Sequence, residues 1–344
     1  MIKVQNIYYM LAYAFQVLSG QGYKNIATEE FDNTGELMAA ILIKGIGNQV
    51  KRGLGKEYIP QREVSSSLCG KIDISDSVKT QTMFRRQMVC SYDDFSVNSY
   101  MNRIIKSTVL LLLKSSISMG RKKVLRKLMV FFGEVDPIDL HTVNWHINYD
   151  RNNQTYRMLI TICYLVVKGL LQKQTNGKFK LMYFLDEQKM HRLYEKFILE
   201  YYRREFPQLK ATPARIAWQL DDDVRDMLPT MQTDITLSQG QKTLIIDAKY
   251  YSRTSQEQYG AHTIHSGNLY QIFTYVKNKE LELTGIPHEV SGMLLYAKTD
   301  EEITPNIEYR MSGNKIAVRT LDLSGDFSLI REQLDDIATT YFPG

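Results

Sequence analysis

Cysteine is scarce: the chain has three, Cys69, Cys90 and Cys163, far apart and odd in number. They make neither a disulfide framework nor a zinc site. Long apolar runs are also missing. The most apolar stretch, Met158 to Val167, falls far short of the roughly 20 residues a membrane span needs. The start, MIKVQNIYYMLAYAF, lacks a small-residue cleavage site and its apolar residues are periodic, so a folded helix is expected there rather than a signal peptide. Neither charge dominates, with 43 Lys+Arg against 38 Asp+Glu and a pI near 8.8. That balance is compatible with nucleic acid without being diagnostic of it. These absences imply a soluble, cytoplasmic globular protein with no membrane partner. Its 344 residues suffice for two domains of ordinary size.

The pattern of the first half is helical at both ends and extended between. Ile7, Met10, Leu11, Ala14, Phe15 and Leu18 fall at i, i+3, i+4, i+7, i+8 and i+11, which predicts an amphipathic helix ending before Gly20. A second helix is expected from Asn33, with Glu36 as its capping-box partner, to about Val50. From Glu57 to Tyr92 the apolar residues Tyr58, Ile59, Val64, Ile72, Ile74, Met83, Phe84, Met88 and Val89 read as extended segments with little core of their own. A thin β projection fits, either a plain edge hairpin or a probe that enters a partner. Helices return at about 97–114, 121–132 and 155–171, and the polar stretch 172–178 marks the boundary. Arg121, Lys122, Lys123, Arg126 and Lys127 read as a solvated helix face.

The second half alternates. A helix from about Leu185 to Phe206 carries Met190, Leu193, Tyr194, Phe197, Ile198 and Tyr201 as its stripe, with Glu195 beside it and Pro207 ending it. A strand follows at 216–218, then Asp221-Asp222-Asp223, three neighbours that cannot all point one way and are best taken as a solvated loop. Residues 252–267, with His262 and His265, read as a mobile loop. A helix begins at Asn268, strands are expected at 293–296 and 316–318, and a helix at 326–342 closes the chain. The order describes an α/β sandwich with a mixed central sheet.

Pro229 to Tyr251 organises this half. Ile235 and Leu237 alternate with polar residues, Leu244, Ile245 and Ile246 return, and Gly240-Gln241 suits a two-residue turn. With that turn, Asp234 lies opposite Asp247 on one sheet face, and Lys249 shares it by period-2 alternation. Two facing carboxylates repel, and one takes up a proton unless a cation sits between them. Mg²⁺ is the natural occupant, since it needs only one or two carboxylates, and the Ala248 backbone carbonyl could add an oxygen. Such a metal polarises a phosphoryl oxygen and activates its water, with Lys249 placed to orient that water. Glu195 could reach the same patch as a further ligand or supporting acid. Gln271 and Tyr275, at i and i+4, share a helix face that can address it. The alternative is that the Asp-x-Lys of this strand takes part in an ordinary solvated cross-strand ion pair.

Glu195, Asp234, Asp247-Ala248-Lys249 and Gln271-x-x-x-Tyr275 resemble the PD-(D/E)xK nuclease superfamily, in its branch with a Gln-x-x-x-Tyr helix. The proline that precedes the first aspartate in that pattern is Thr233 here. Asn6-Ile7-Tyr8-Tyr9-Met10-Leu11, Asn102 to Thr108, Asp234-Ile235-Thr236, Asp247 to Tyr251, His265-Ser266 and Asn268 to Gln271 further resemble the McrC family, the endonuclease subunits of modification-dependent McrBC restriction systems. The likeness runs in order along nearly the whole chain.

That resemblance implies an α+β amino-terminal domain over 1–175, helical with a β projection at about 57–92, followed by a restriction-endonuclease-like α/β domain over 176–344. It implies docking of the first domain on McrB, a hexameric AAA+ GTPase that binds the GTP, with stimulation of its hydrolysis. It further implies Mg²⁺-dependent cleavage, with Mn²⁺ as a substitute, of double-stranded DNA containing modified cytosine such as 5-methylcytosine. On that reading Asp234, Asp247, Lys249, Glu195, Gln271 and Tyr275 form the catalytic set. Two alternatives stay open: a non-catalytic adaptor of an AAA+ NTPase, and a stand-alone RecB-like repair nuclease.

Overall fold

The computed structural model describes residues 2–15, 18, 23, 26, 29, 31–149, 153–174, 187–222, 224–250, 255–258, 261–298 and 304–343. Two compact units form, one from Asn33–Tyr183 and the other from Met1–Asp32 with Phe184–Gly344. The expected division near 175 is therefore corrected at the amino terminus. Helix α1 (Val4–Ala14) belongs to the later unit, and its anchors are polar as well as apolar. Asn6 Nδ2 donates to the carbonyls of Leu323 and Gly325, both at 2.8 Å. Tyr9 stacks on Phe327 at 4.3 Å between centroids, and Tyr13 donates to Glu205 Oε1 at 2.8 Å. A stripe at helical spacing shows that a helix needs a partner; it does not say which one. The predicted boundary segment 172–178 lies mostly outside the described residues.

In the 33–183 unit, α2 (Thr34–Arg52) starts where the Asn33 side chain accepts the Glu36 N–H at 3.0 Å. The projection is a three-stranded antiparallel sheet of β1 (Glu57–Ser65), β2 (Lys71–Ile72) and, between them, β3 (Met88–Ser96). Pro60 is tolerated because β1 is an edge strand. Residues 74 and 83–84 are not extended as expected: α3 (Ile74–Lys79) and a 3₁₀ turn at Thr82–Arg85 fill the connection. Asp73 caps α3 by accepting the Asp76 N–H at 3.0 Å, a local bond that competes with strand pairing.

Helices α4 (Tyr100–Leu113), α5 (Met119–Met129) and α6 (Gln154–Gln174) complete the unit. Leu37, Ile41, Leu42, Ile105, Val109, Leu112, Leu125, Leu159 and Ile162 are buried in it. Asn102 ties the root of the projection to these helices. Its Nδ2 donates to the Gly55 and Val97 carbonyls at 2.8 and 2.9 Å, and its Oδ1 accepts from Tyr156 Oη at 2.9 Å.

In the other unit α7 (Glu187–Glu205) packs on α1. A short pair, β4 (Arg215–Ile216) with β5 (Met231–Gln232), precedes the main hairpin, β6 (Ile235–Gln239) and β7 (Lys242–Lys249). Asp221 and Asp222 between them are exposed. Instead of a loop, β8 (Ser255–Gln258) and β9 (Ala261–Ile264) pair as a second hairpin, and α8 (Ser266–Glu282) starts at once. Then come β10 (Glu289–Ala297), β11 (Ile307–Met311), β12 (Asn314–Leu321) and α9 (Phe327–Tyr341). Strand β11, absent from the expectations, is a largely exposed edge with Tyr309 and Met311 partly buried against the core.

The sheet order is β11-β12-β10-β7-β6, parallel at β12/β10 and β10/β7 and antiparallel at both edges. Helix α8 covers one face through Ile272, Tyr275 and Val276, against Ile245, Leu294, Ile316 and Val318. Gly292 permits that approach, because a Cβ there would meet Val276 Cγ2 at 2.8 Å and Ile272 Cγ1 at 2.9 Å. Among the described residues, no helix is long and apolar enough to cross a membrane.

Candidate active site

The β6–β7 register decides which side chains meet. Gln239 pairs with Lys242 and Ile235 with Ile246, so the turn is Gly240-Gln241, with Gly240 at φ +58°. One further step opposes Asp234 to Asp247 at the point where the ladder stops. The Asp234 side chain itself closes the ladder, as its Oδ2 accepts the Ala248 N–H at 2.9 Å. A strand residue's N–H and C=O point to the same side, so the Ala248 carbonyl faces the Asp234 edge as well.

Asp247 and Lys249 share a face with Ile245, the face α8 covers. Both are almost fully enclosed, Asp247 at 2% and Lys249 at 7% exposure. Lys249 Nζ lies 2.8 Å from Asp247 Oδ2 and donates to Gln271 Oε1 at 3.2 Å. Gln271 Nε2 in turn donates to Tyr275 Oη at 2.9 Å. The chain Asp247–Lys249–Gln271–Tyr275 thus runs from the strand end along one turn of α8.

Glu195 and Lys249 do not meet in this way. On α7, Glu195 Oε1 pairs with His191 Nδ1 at 2.5 Å, and its charge acts on Asp234. Burial, followed by the charges of Asp247 and Glu195, pushes the Asp234 carboxyl up to about 8, against the pull of Lys249 and the Ala248 N–H. Burial also raises Asp247, opposed by Lys249, the hydrogen bond with Asp234, and His191. His191 is the neighbour that sequence reading missed. Its only signal was the i, i+4 spacing to Glu195, which any surface helix can show. Of the loop histidines, His265 precedes α8, and the His262 side chain lies outside what is described.

Two carboxylates held this close share a proton when nothing else neutralises them. Asp247 Oδ2 is buried with the ammonium beside it but with no aligned hydrogen-bond donor. Both facts fit a hard divalent cation bound by Asp234, Asp247 and the Ala248 carbonyl, a set of the size Mg²⁺ accepts. Among the described residues, no group of three or more His, Cys, Asp or Glu side chains is arranged to hold a metal ion. Glu195, read from the sequence as a possible further ligand or supporting acid, pairs with His191 in this structure.

The family described as McrBC 5-methylcytosine restriction system component matches residues 3–297. Over 352 aligned residues the chain is 30% identical to the type IV methyl-directed restriction enzyme EcoKMcrBC of Escherichia coli K12, spanning 99% of this chain and 98% of that relative. Its fold is similar to that of a chain in a half-complex from a tetradecameric assembly of Thermococcus gammatolerans McrB AAA+ hexamers with bound McrC. There the TM-score is 0.50 at 17% identity, covering 98% of this chain and 76% of the other. With a matching profile over most of its length and a full-length relative, this chain belongs to the McrBC family of 5-methylcytosine restriction system components.

Proposed function

We propose that the chain is the DNA-cleaving subunit of a McrBC-type restriction complex, with a PD-(D/E)xK nuclease site in the mixed-sheet unit. The observation that carries this reading is the pair of half-buried Asp234 and buried Asp247, facing each other at the end of a hairpin with Lys249 alongside. An adaptor has no use for two facing carboxylates, one buried and one half-buried, both raised toward neutrality; a phosphodiesterase does. When bound, Mg²⁺ supplies Lewis-acid activation of water and of the scissile phosphate. Asp234 and Asp247 hold it, with the Ala248 carbonyl.

Lys249 orients the attacking water and neutralises charge that grows on the phosphate. Gln271 fixes the Lys249 ammonium by accepting its hydrogen bond, and Tyr275 fixes Gln271. The Glu195–His191 pair shapes the field at the two aspartates from α7. The Asn33–Tyr183 unit, with its β projection, docks on and stimulates a GTP-hydrolysing AAA+ ring of the McrB kind. That ring belongs to the similar Thermococcus assembly, and it supplies GTP binding and recognition of modified cytosine.

The test is cleavage of methylated and unmethylated plasmid with GTP and Mg²⁺, with and without the ring partner. Cleavage confined to methylated DNA with all components present supports the reading. Efficient cleavage by the lone chain at physiological salt would instead make it a free-standing nuclease. No cleavage at all, with ring stimulation intact, would leave an adaptor. Calorimetric Mn²⁺ binding that survives Asp234→Ala would remove the metal site as assigned.

A further inference from the structure

Charge is divided unevenly between the units. Residues 33–183 hold 23 Lys+Arg against 11 Asp+Glu, a net of +12, while the rest of the chain holds 20 against 27, a net of −7. The basic excess is densest on α5, MGRKKVLRKLM, which has five cations and no acid. Arg121 is compensated, its Nε lying 2.5 Å from Glu36 Oε2 with both side chains largely enclosed. The side chains of Lys122, Lys123, Arg126 and Lys127 have no hydrogen bond or ion pair among the described residues, and the last three are exposed.

This arrangement works against the helix that carries it. Lys122 and Arg126, and likewise Lys123 and Lys127, are like charges at i, i+4, which destabilises a helix. Arg121, Lys122 and Lys123 also crowd the positive end of the helix dipole. Leu125 is the sole buried residue of α5. A face needed only for solubility would mix acids among these cations. Just beyond, Val130 and Phe131 are exposed at 77% and 60%, and each lies one turn from Arg126 or Lys127.

We propose that this face of α5 (Lys122, Lys123, Arg126 and Lys127, with Phe131 at its edge) binds the phosphate backbone of duplex DNA. The unit otherwise assigned to partner docking thereby holds the substrate, while the acidic unit cuts it. The proposal rests on the nuclease reading only for the choice of DNA as the polyanion. Its test uses no divalent ion and reads no cleavage, so the two can fail separately.

The experiment is fluorescence anisotropy of the full chain with an unmethylated duplex of about 30 base pairs in EDTA, titrated with salt from about 50 to 200 mM. K122Q/K123Q/R126Q/K127Q should weaken binding at least about tenfold and lower the slope of log affinity against log salt by about 3, near 0.9 per phosphate contact. The smaller variant K123Q/K127Q should lower the slope by about 1 to 2. Since like-charge crowding is relieved, both should melt at or above the wild-type temperature, which separates lost contacts from lost folding. Lys44, Lys51, Arg52 and Lys71, four other exposed cations of the unit, are changed to Gln as the matched control and should cost much less. An equal loss in that control would reduce the effect to net charge and overturn the proposal. So would unchanged DNA affinity in the α5 variants, and if capture by the ring were lost instead, the face would belong to an acidic protein.

Discussion

The two units solve opposite electrostatic problems. The mixed-sheet unit is net acidic and sets two of its carboxylates, Asp234 and Asp247, face to face, an arrangement that without a cation repels any polyanion. The 33–183 unit is net basic and leaves a row of cations uncompensated on α5. Their buried polar groups differ in the same sense. Asn102 in the basic unit is fully satisfied by Gly55, Val97 and Tyr156, as a structural joint should be. Asp247 in the acidic unit keeps an oxygen without an aligned donor and sits in a site that favours neutralisation. A saturated polar network stabilises a fold, whereas an unsaturated one is held ready for a ligand.

The sharpest way to break this contrast is Asp247→Ala. Cleavage should fall by about a thousandfold or more, while EDTA-phase DNA binding and stimulation of the GTPase ring stay at wild-type levels. A well-folded variant that lost ring stimulation would show that the units are not separable. Lys249→Gln comes next, with a loss of about 100- to 1,000-fold in single-turnover cleavage and with divalent-ion binding retained.

A smaller effect is expected on the other side of the comparison. Asn102→Ala leaves the Gly55 and Val97 carbonyls and the Tyr156 hydroxyl short of a partner, at a cost of about 1–3 kcal/mol. Denaturant melts should register it, and ring stimulation should suffer before Mn²⁺ binding to the other unit does. The smallest concerns pH. The Asp234 carboxyl is raised in the folded protein, to about 8, above its unfolded value of 3.8. The folded state therefore binds more protons between these values, and metal-free stability falls as pH rises from about 4 to 8. Asp234→Asn should remove that slope and raise the melting temperature at pH 8 in EDTA by about 2–4 °C. Added Mg²⁺ should stabilise the wild type alone.

Much of the site was readable because a hairpin converts spacing into geometry. Once Gly240-Gln241 is the turn, period-2 alternation carries Asp234, Asp247 and Lys249 to one face, and the observed pairing of Gln239 with Lys242 is the same register. Gln271 and Tyr275 were readable for a similar reason, since i, i+4 on a helix is a fixed neighbourhood. The hydrogen bond from Gln271 to Lys249 was not, because it depends on how α8 crosses β7. Glu195 shows the limit: its place beside the apolar stripe of its helix suggested reach to the hairpin, but its pairing with His191 depends on rotamers and packing. The short β8–β9 pair, the edge strand β11 and the α3 turn in the projection escaped notice because each is short, and β11 and α3 are mostly exposed.

Taken alone, the sequence determined the elements with strong periodicity, the hairpin turn and the convergence of two carboxylates and an ammonium, since each follows from local repeat geometry and covalent connectivity. Tertiary structure alone decided that residues 1–32 join the later unit, that Glu195 pairs with His191, and that among the described residues Arg121 is the one α5 cation with an ion pair. Those outcomes depend on which distant surfaces meet, and a periodicity of 3.6 or 2 specifies the face that is buried without specifying its partner.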